Sequence, residues 1–170
     1  MHASDILRLL GNKTRVVMYP DLYNVTSIDE LLSPYGSFVL LYVTAKVGND
    51  PIGHWTTVIR HPWGIEFFDP YGFRADEEFE GADLDQSRRA ALGEPTNRLD
   101  QLLRQAHSHG ERVFYNEDRL QRMSRSVGTC GRWVVLRLLL NHLNEHQFQS
   151  LGLTDERVYD ITERMLHART

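Results

Sequence analysis

Four residues in this chain have the types and the order that nucleophilic thiol chemistry requires: His54, Asp69, Gln121 and Cys130. Cys130 is the only cysteine, set among small residues in Gly128-Thr129-Cys130-Gly131, and it opens the most apolar stretch, Arg132 to Leu143. A sulfur in the first turn of a buried helix feels the helix N-terminal amides, which favour its thiolate. Such a nucleophile also needs a base, a group that orients the base, and donors for the oxyanion formed on the attacked carbonyl. His54 can be the base, Asp69 can hold its distal N–H, and the Gln121 amide can join the backbone N–H of Cys130 as oxyanion donor. Each residue also has a plainer use. A lone cysteine in an apolar helix is a small hydrophobe, His54-Trp55 can fill a core, Asp69-Pro70-Tyr71-Gly72 makes a turn, and Gln121 lies in a polar loop.

The elements decide whether these residues can meet. His54 to Arg60 alternates as a strand, His61-Pro62-Trp63-Gly64 is a tight turn, and Ile65 to Phe68 reads as the returning strand. Antiparallel pairing across that turn brings His54 and Asp69 to the same end of the hairpin. Glu66 points to the opposite face or a displaced position. Ser37 to Thr44 is apolar on both faces, which suits a strand in the middle of a covered sheet. Short helices are expected at residues 4–10 and after Ser27, short strands at Arg15–Tyr19 and Arg112–Tyr115, and longer helices from Pro95 to Gly110 and from Asp155 to His167. The acidic run from Asp76 to Asp85 reads as a solvated loop. The expected class is α+β, a mostly antiparallel sheet packed with helices, with residues 1–170 as a single domain.

Composition narrows the function further. A net charge of −4 argues against coating nucleic acid as the main task. One cysteine rules out an intramolecular disulfide and the Cys-rich zinc motifs, and it suggests a reducing compartment. No stretch approaches about 18 apolar residues, and the N-terminus has no signal-peptide pattern, so a soluble intracellular protein with no membrane partner is expected. His142 and His146, four apart on one helix face, and His107 with His109 are better explained as exposed helix-end residues than as metal ligands, because no HExxH arrangement is present.

Taken together, Gly53-His54-Trp55, Phe68-Asp69-Pro70-Tyr71-Gly72, Leu120-Gln121 and Thr129-Cys130-Gly131, in that order, resemble the adenovirus proteinase (adenain) and SUMO/ubiquitin-like-protein protease superfamily of cysteine proteases. The resemblance covers residues 37–145. It implies an adenain-like topology and a papain-like site, with the nucleophile at the N-terminus of a buried central helix. Carried over residue by residue, it makes His54 the base, Asp69 its orienter, Cys130 the nucleophile and Gln121 an oxyanion donor, although Gln121 stands further before the cysteine than in familiar members. It implies a compact, viral-type cysteine endopeptidase that cleaves after small-residue, Gly-Gly-type sites, as in maturation of viral structural proteins. Trp55 would roof the channel for the glycines.

Two alternatives use the same residues: a deubiquitinase or deSUMOylase isopeptidase, and an effector-type acetyltransferase. The partner is then a viral precursor protein or a ubiquitin-like conjugate, in host cytoplasm, nucleus or virion, and no cofactor or metal is implied. Arg119, Arg122, Arg125 and Arg132 form either a solvated polar stretch or a basic rim for an acidic substrate or nucleic acid, since viral relatives as a group have nucleic-acid-assisted activity.

Overall fold

The computed structural model describes residues 1–82, 84–122 and 128–168. Its frame is a five-stranded sheet in the order β1-β2-β3-β4-β5, formed by Arg15–Met18, Ser37–Val47, Asp50–His61, Gly64–Phe68 and Val113–Tyr115. Along β2, Phe38, Leu40 and Tyr42 bury to one face and Val39, Leu41 and Val43 to the other. Helices therefore cover both sides, as a strand apolar on both faces demands. On the first side lie a 3₁₀ turn (Tyr19–Asn24), α2 (Ile28–Leu32) and α5 (Arg98–Ser108). On the second lie α1 (Ala3–Leu10), α6 (Cys130–Leu139), α7 (Glu145–Gln149) and α8 (Asp155–Ala168).

The class is α+β as expected, and the sheet is antiparallel through its centre but mixed, with parallel pairs at both edges. The central pairs β2–β3 and β3–β4 are antiparallel, while the outer pairs β1–β2 and β4–β5 are parallel. The reason is the connections. Tight turns join β2 to β3 and β3 to β4, whereas β1 reaches β2 through α2, and β4 reaches β5 through α3 (Glu78–Gly81), α4 (Gln86–Ala91) and α5. A helical crossover brings a strand back in the direction it left.

Two features fix the ends of the central hairpin. The β2–β3 register shifts between Val43 and Ala45, and the freed Val43 N–H donates to the Glu94 carboxylate at 2.8 Å. Opposite this bulge a β-carbon on Gly53 would lie 1.6 Å from the Tyr42 carbonyl oxygen, so only glycine can precede His54 there. At the far end, Glu66 of β4 accepts Nε and Nη2 of Arg137 from α6 at 2.9 and 2.6 Å, with His61 Nε2 at 2.6 Å. All three side chains are buried, so each charge has a partner where water cannot screen it. This triad ties α6 to the hairpin and disposes of Glu66 as a rival to Asp69.

Other expectations need correction. The acidic run at 76–85 is not a solvated loop. Asp76, Glu78 and Phe79 are buried, because Phe79 packs edge-on against Tyr19 and Tyr42 and draws α3 onto the sheet. The apolar helix stops at Leu139, and the Arg137 guanidinium binds the Leu140 and Leu143 carbonyls that follow at 3.1 Å each. Asn144 then caps α7 through the Gln147 N–H at 2.8 Å. His142 and His146 therefore do not share a helix, though both are exposed.

Candidate active site

β3 carries His54 and Asp69 follows directly after β4. The Thr57–Phe68 register pair leaves the two at the same end of the hairpin. His54 Nε2 and Asp69 Oδ1 are 2.9 Å apart, with side chains 5% and 1% exposed. The turn holds the carboxylate in place. Asp69 Oδ1 also accepts the Tyr71 N–H at 2.7 Å, and the Asn116 amide bonds both the N–H and the carbonyl of Asp69, at 2.9 and 2.6 Å. Gly72 closes the turn with φ +76°, where a β-carbon would press within 3.1 Å of the Glu117 carbonyl. The Tyr71 ring stacks on His54, centroids 4.6 Å apart and planes 14° apart, so the imidazole is held on its face as well as its edge.

Cys130 is the first residue of α6, 7% exposed, and its thiol sits where the His54 ring and the backbone N–H groups of Trp55 and Gly131 act on its charge. Since Nε2 faces Asp69, Nδ1 is the nitrogen left for the sulfur. Burial pushes the thiol pKa up, but the hydrogen bond and charge of His54, with the two backbone donors, outweigh it and hold the thiol below its ordinary value. Burial likewise pushes His54 down, and Asp69, by charge and hydrogen bond, together with Cys130, carries it well above the usual histidine range. Both shifts favour a thiolate–imidazolium pair.

Gln121 is 1% exposed and anchored by its backbone N–H, and that of Leu120, to the Pro70 carbonyl at 2.9 Å each. Its side-chain amide donates to the Tyr71 hydroxyl at a long 3.4 Å, and its Oε1 has no partner. The structure therefore pairs His54 with Asp69 directly, sets Cys130 where its charge and that of His54 act on each other, and joins Gln121 to the pair through Tyr71. A cleft of about 670 Å³ runs up to Cys130, lined by Met1, Met18, Leu41, Ile52 and Trp55 among others. Trp55 packs over Gly131, where a β-carbon would come 3.0 Å from the indole, and its Nε1 donates to the Met1 carbonyl at 3.2 Å.

No family model matches the chain. It is 38% identical over 146 residues to "Uncharacterized protein V9" of Sputnik virophage, a match covering 85% of this chain and 78% of the virophage protein. The chain belongs to the V9 family. That relative is a viral protein, and the expectation of a viral protein stands at that level.

Of the four arginines near Cys130 in this V9-family chain, Arg132 binds Thr162 and Glu163 of α8 and lies over the Tyr159 ring at 4.1 Å, and Arg122 pairs with Glu156 at 3.8 Å. Arg125 is outside the described residues and Arg119 is exposed. A rim of four free cations is therefore not what the described residues present. Among the described residues, His54, Asp69 and Glu78 are the three donor side chains whose polar atoms lie within 4.8 Å of one another. Among the described residues no helix is long and apolar enough to cross a membrane.

Sequence reasoning missed Tyr71, Glu78, Asn116 and Asp155. For Glu78 the available signal was Phe79, an apolar anchor within an acidic run.

Proposed function

We propose that this V9-family protein is a cysteine endopeptidase of the adenovirus-proteinase kind, with Cys130 as nucleophile, His54 as base, Asp69 as the group that orients it and Gln121 as an oxyanion donor. The observation that carries the reading is the imidazole held between a buried carboxylate and the sole thiol, that thiol being at a helix N-terminus and facing a cleft. The thiolate attacks a peptide carbonyl, and His54 protonates the leaving amine as the thioester forms. Water then attacks the thioester, His54 takes its proton, and the carboxylate product leaves. Trp55, which lines the cleft together with Cys130, is the proposed roof of a channel for small residues beside the scissile bond, and viral precursor proteins are the proposed substrates, inside the host cell or virion.

Incubation with a Gly-Gly-containing peptide library, beside ubiquitin-like aldehyde or vinyl probes, tests this. Cleavage of the library, abolished in a folded Cys130→Ala protein, is the expected result. Labelling by the ubiquitin-like probes would reassign the protein to deconjugation, and acetyl transfer from acetyl-CoA without cleavage would make it an acetyltransferase.

A further inference from the structure

The second oxygen of Asp69 is unexplained by the arrangement above. Oδ1 accepts from His54 and Tyr71, but Oδ2 is buried with no partner, an arrangement that costs a carboxylate its solvation without return. Near the Asp69 carboxylate lies Glu78, 7% exposed, carried on α3 by the burial of Phe79. Its carboxyl oxygen, the Asp69 oxygen and the His54 nitrogen lie within 4.8 Å of one another, a span that a single bridging water covers.

We propose that Glu78 is a positioning acid for the His54–Asp69 pair. When protonated it donates toward Asp69 Oδ2, directly or through one water, and when ionised it adds a second negative charge that strengthens the hold of His54 on its proton. This rests on the reading of His54, Asp69 and Cys130 as a thiol active site.

The surroundings suit that role. Burial raises the Glu78 pKa from 4.5 to about 7, with the His54 charge lowering it and the Asp69 charge raising it. The titratable groups that face it are His54 from β3, Asp69 from the end of β4 and Tyr71 from the turn that follows, with Cys130 of α6 acting through His54. On its own segment Arg74, Glu77 and Glu80 are exposed, and Asp76 is turned to the hydroxyls of Tyr19 and Tyr42 at 2.8 and 3.1 Å. The sign follows. Below the Glu78 pKa the carboxylate charge near the imidazole is that of Asp69 alone. As pH rises through it a second anion appears near the imidazole, and loss of the His54 proton is displaced to higher pH.

The test is the pH titration of the His54 ring, followed by nitrogen NMR in histidine-labelled full-length protein. In wild type the His54 signal should show an inflection near pH 7, the Glu78 value. In Glu78→Gln, an isostere whose amide still donates to Oδ2, that inflection should vanish, and the final loss of the His54 proton should move down by about one pH unit, a tenfold change in imidazolium at a given pH. Glu78→Asp, which keeps a carboxyl, should retain the inflection. Titrations of wild type and Glu78→Gln that superimpose would overturn the proposal, as would loss of the inflection in the Asp and Gln variants alike. Cys130→Ala, run beside them, separates the two claims. Its His54 titration should shift if the sulfur pairs with the ring. If it stays put, the thiol active-site reading fails and the Glu78 role fails with it.

Discussion

Gln121 shows how much a single side chain can be held ready by its neighbours. Its backbone is fixed to Pro70, its amide N–H reaches the Tyr71 hydroxyl only at 3.4 Å, and Oε1 is buried without a partner. A buried amide so loosely bonded keeps a donor that a substrate oxygen can take over. Replacing Gln121 with Ala should lower kcat by about a hundredfold or more, the loss seen when one oxyanion donor is removed, with little change in KM. Steady-state kinetics on a cleaved peptide checks this. A rise in KM with kcat unchanged would place Gln121 in substrate binding alone. The residue types at 54, 69, 121 and 130 were legible in sequence, since their chemistry restricts the choice. Tyr71 was not, because an aromatic in a turn gives no sign of the ring it will stack on.

Among the elements, α8 holds the mouth of α6 in place. Asp155, at the start of α8, accepts the Thr129 hydroxyl and the Trp133 indole N–H on one oxygen at 2.7 Å each, and the Arg122 backbone N–H on the other at 2.9 Å. One carboxylate thus binds both flanks of the segment between Gln121 and Cys130. Asp155→Ala leaves those donors unpaired, Thr129 and the Trp133 side chain being buried, and should cost about 1–3 kcal/mol of stability. Turnover should fall further than stability does, because the helix start that carries the thiol loses its tether. Chemical denaturation and kinetics on one preparation read both effects; full activity in a destabilised protein would make Asp155 a stability residue only. The hairpin of β3 and β4 was readable from period-two alternation and a tight turn. The parallel edge strands were not, since strand direction depends on crossovers whose short helices carry weak periodic signal. The halt of α6 at Leu139 was hidden because Leu140 and Leu143 continue the apolar pattern past it.

At the scale of the whole molecule, the sheet delivers an imidazole and a carboxylate from one hairpin end, and α6, fixed by Arg137 to Glu66, delivers the thiol from the helical layer. Burial of these groups makes their mutual charges strong, which is why the thiol pKa falls and the imidazole pKa rises despite desolvation. Glu78 lay outside the reach of sequence because acidic runs usually face water, and here the apolar anchor Phe79 overrode that tendency. The sign of the two shifts sets the pH dependence: the thiolate persists as pH falls below the usual thiol range, and the imidazolium persists as pH rises above the usual histidine range.

The most direct measurement is the rate of iodoacetamide alkylation of Cys130 against pH, in wild type and His54→Ala. The predicted result is alkylation at neutral pH faster than a model thiol, a thiol titration displaced to acid, and a slowing of about tenfold or more in His54→Ala as the thiolate loses its partner. A wild-type thiol that titrates in the ordinary range, or one whose rate is indifferent to loss of His54, would contradict the account.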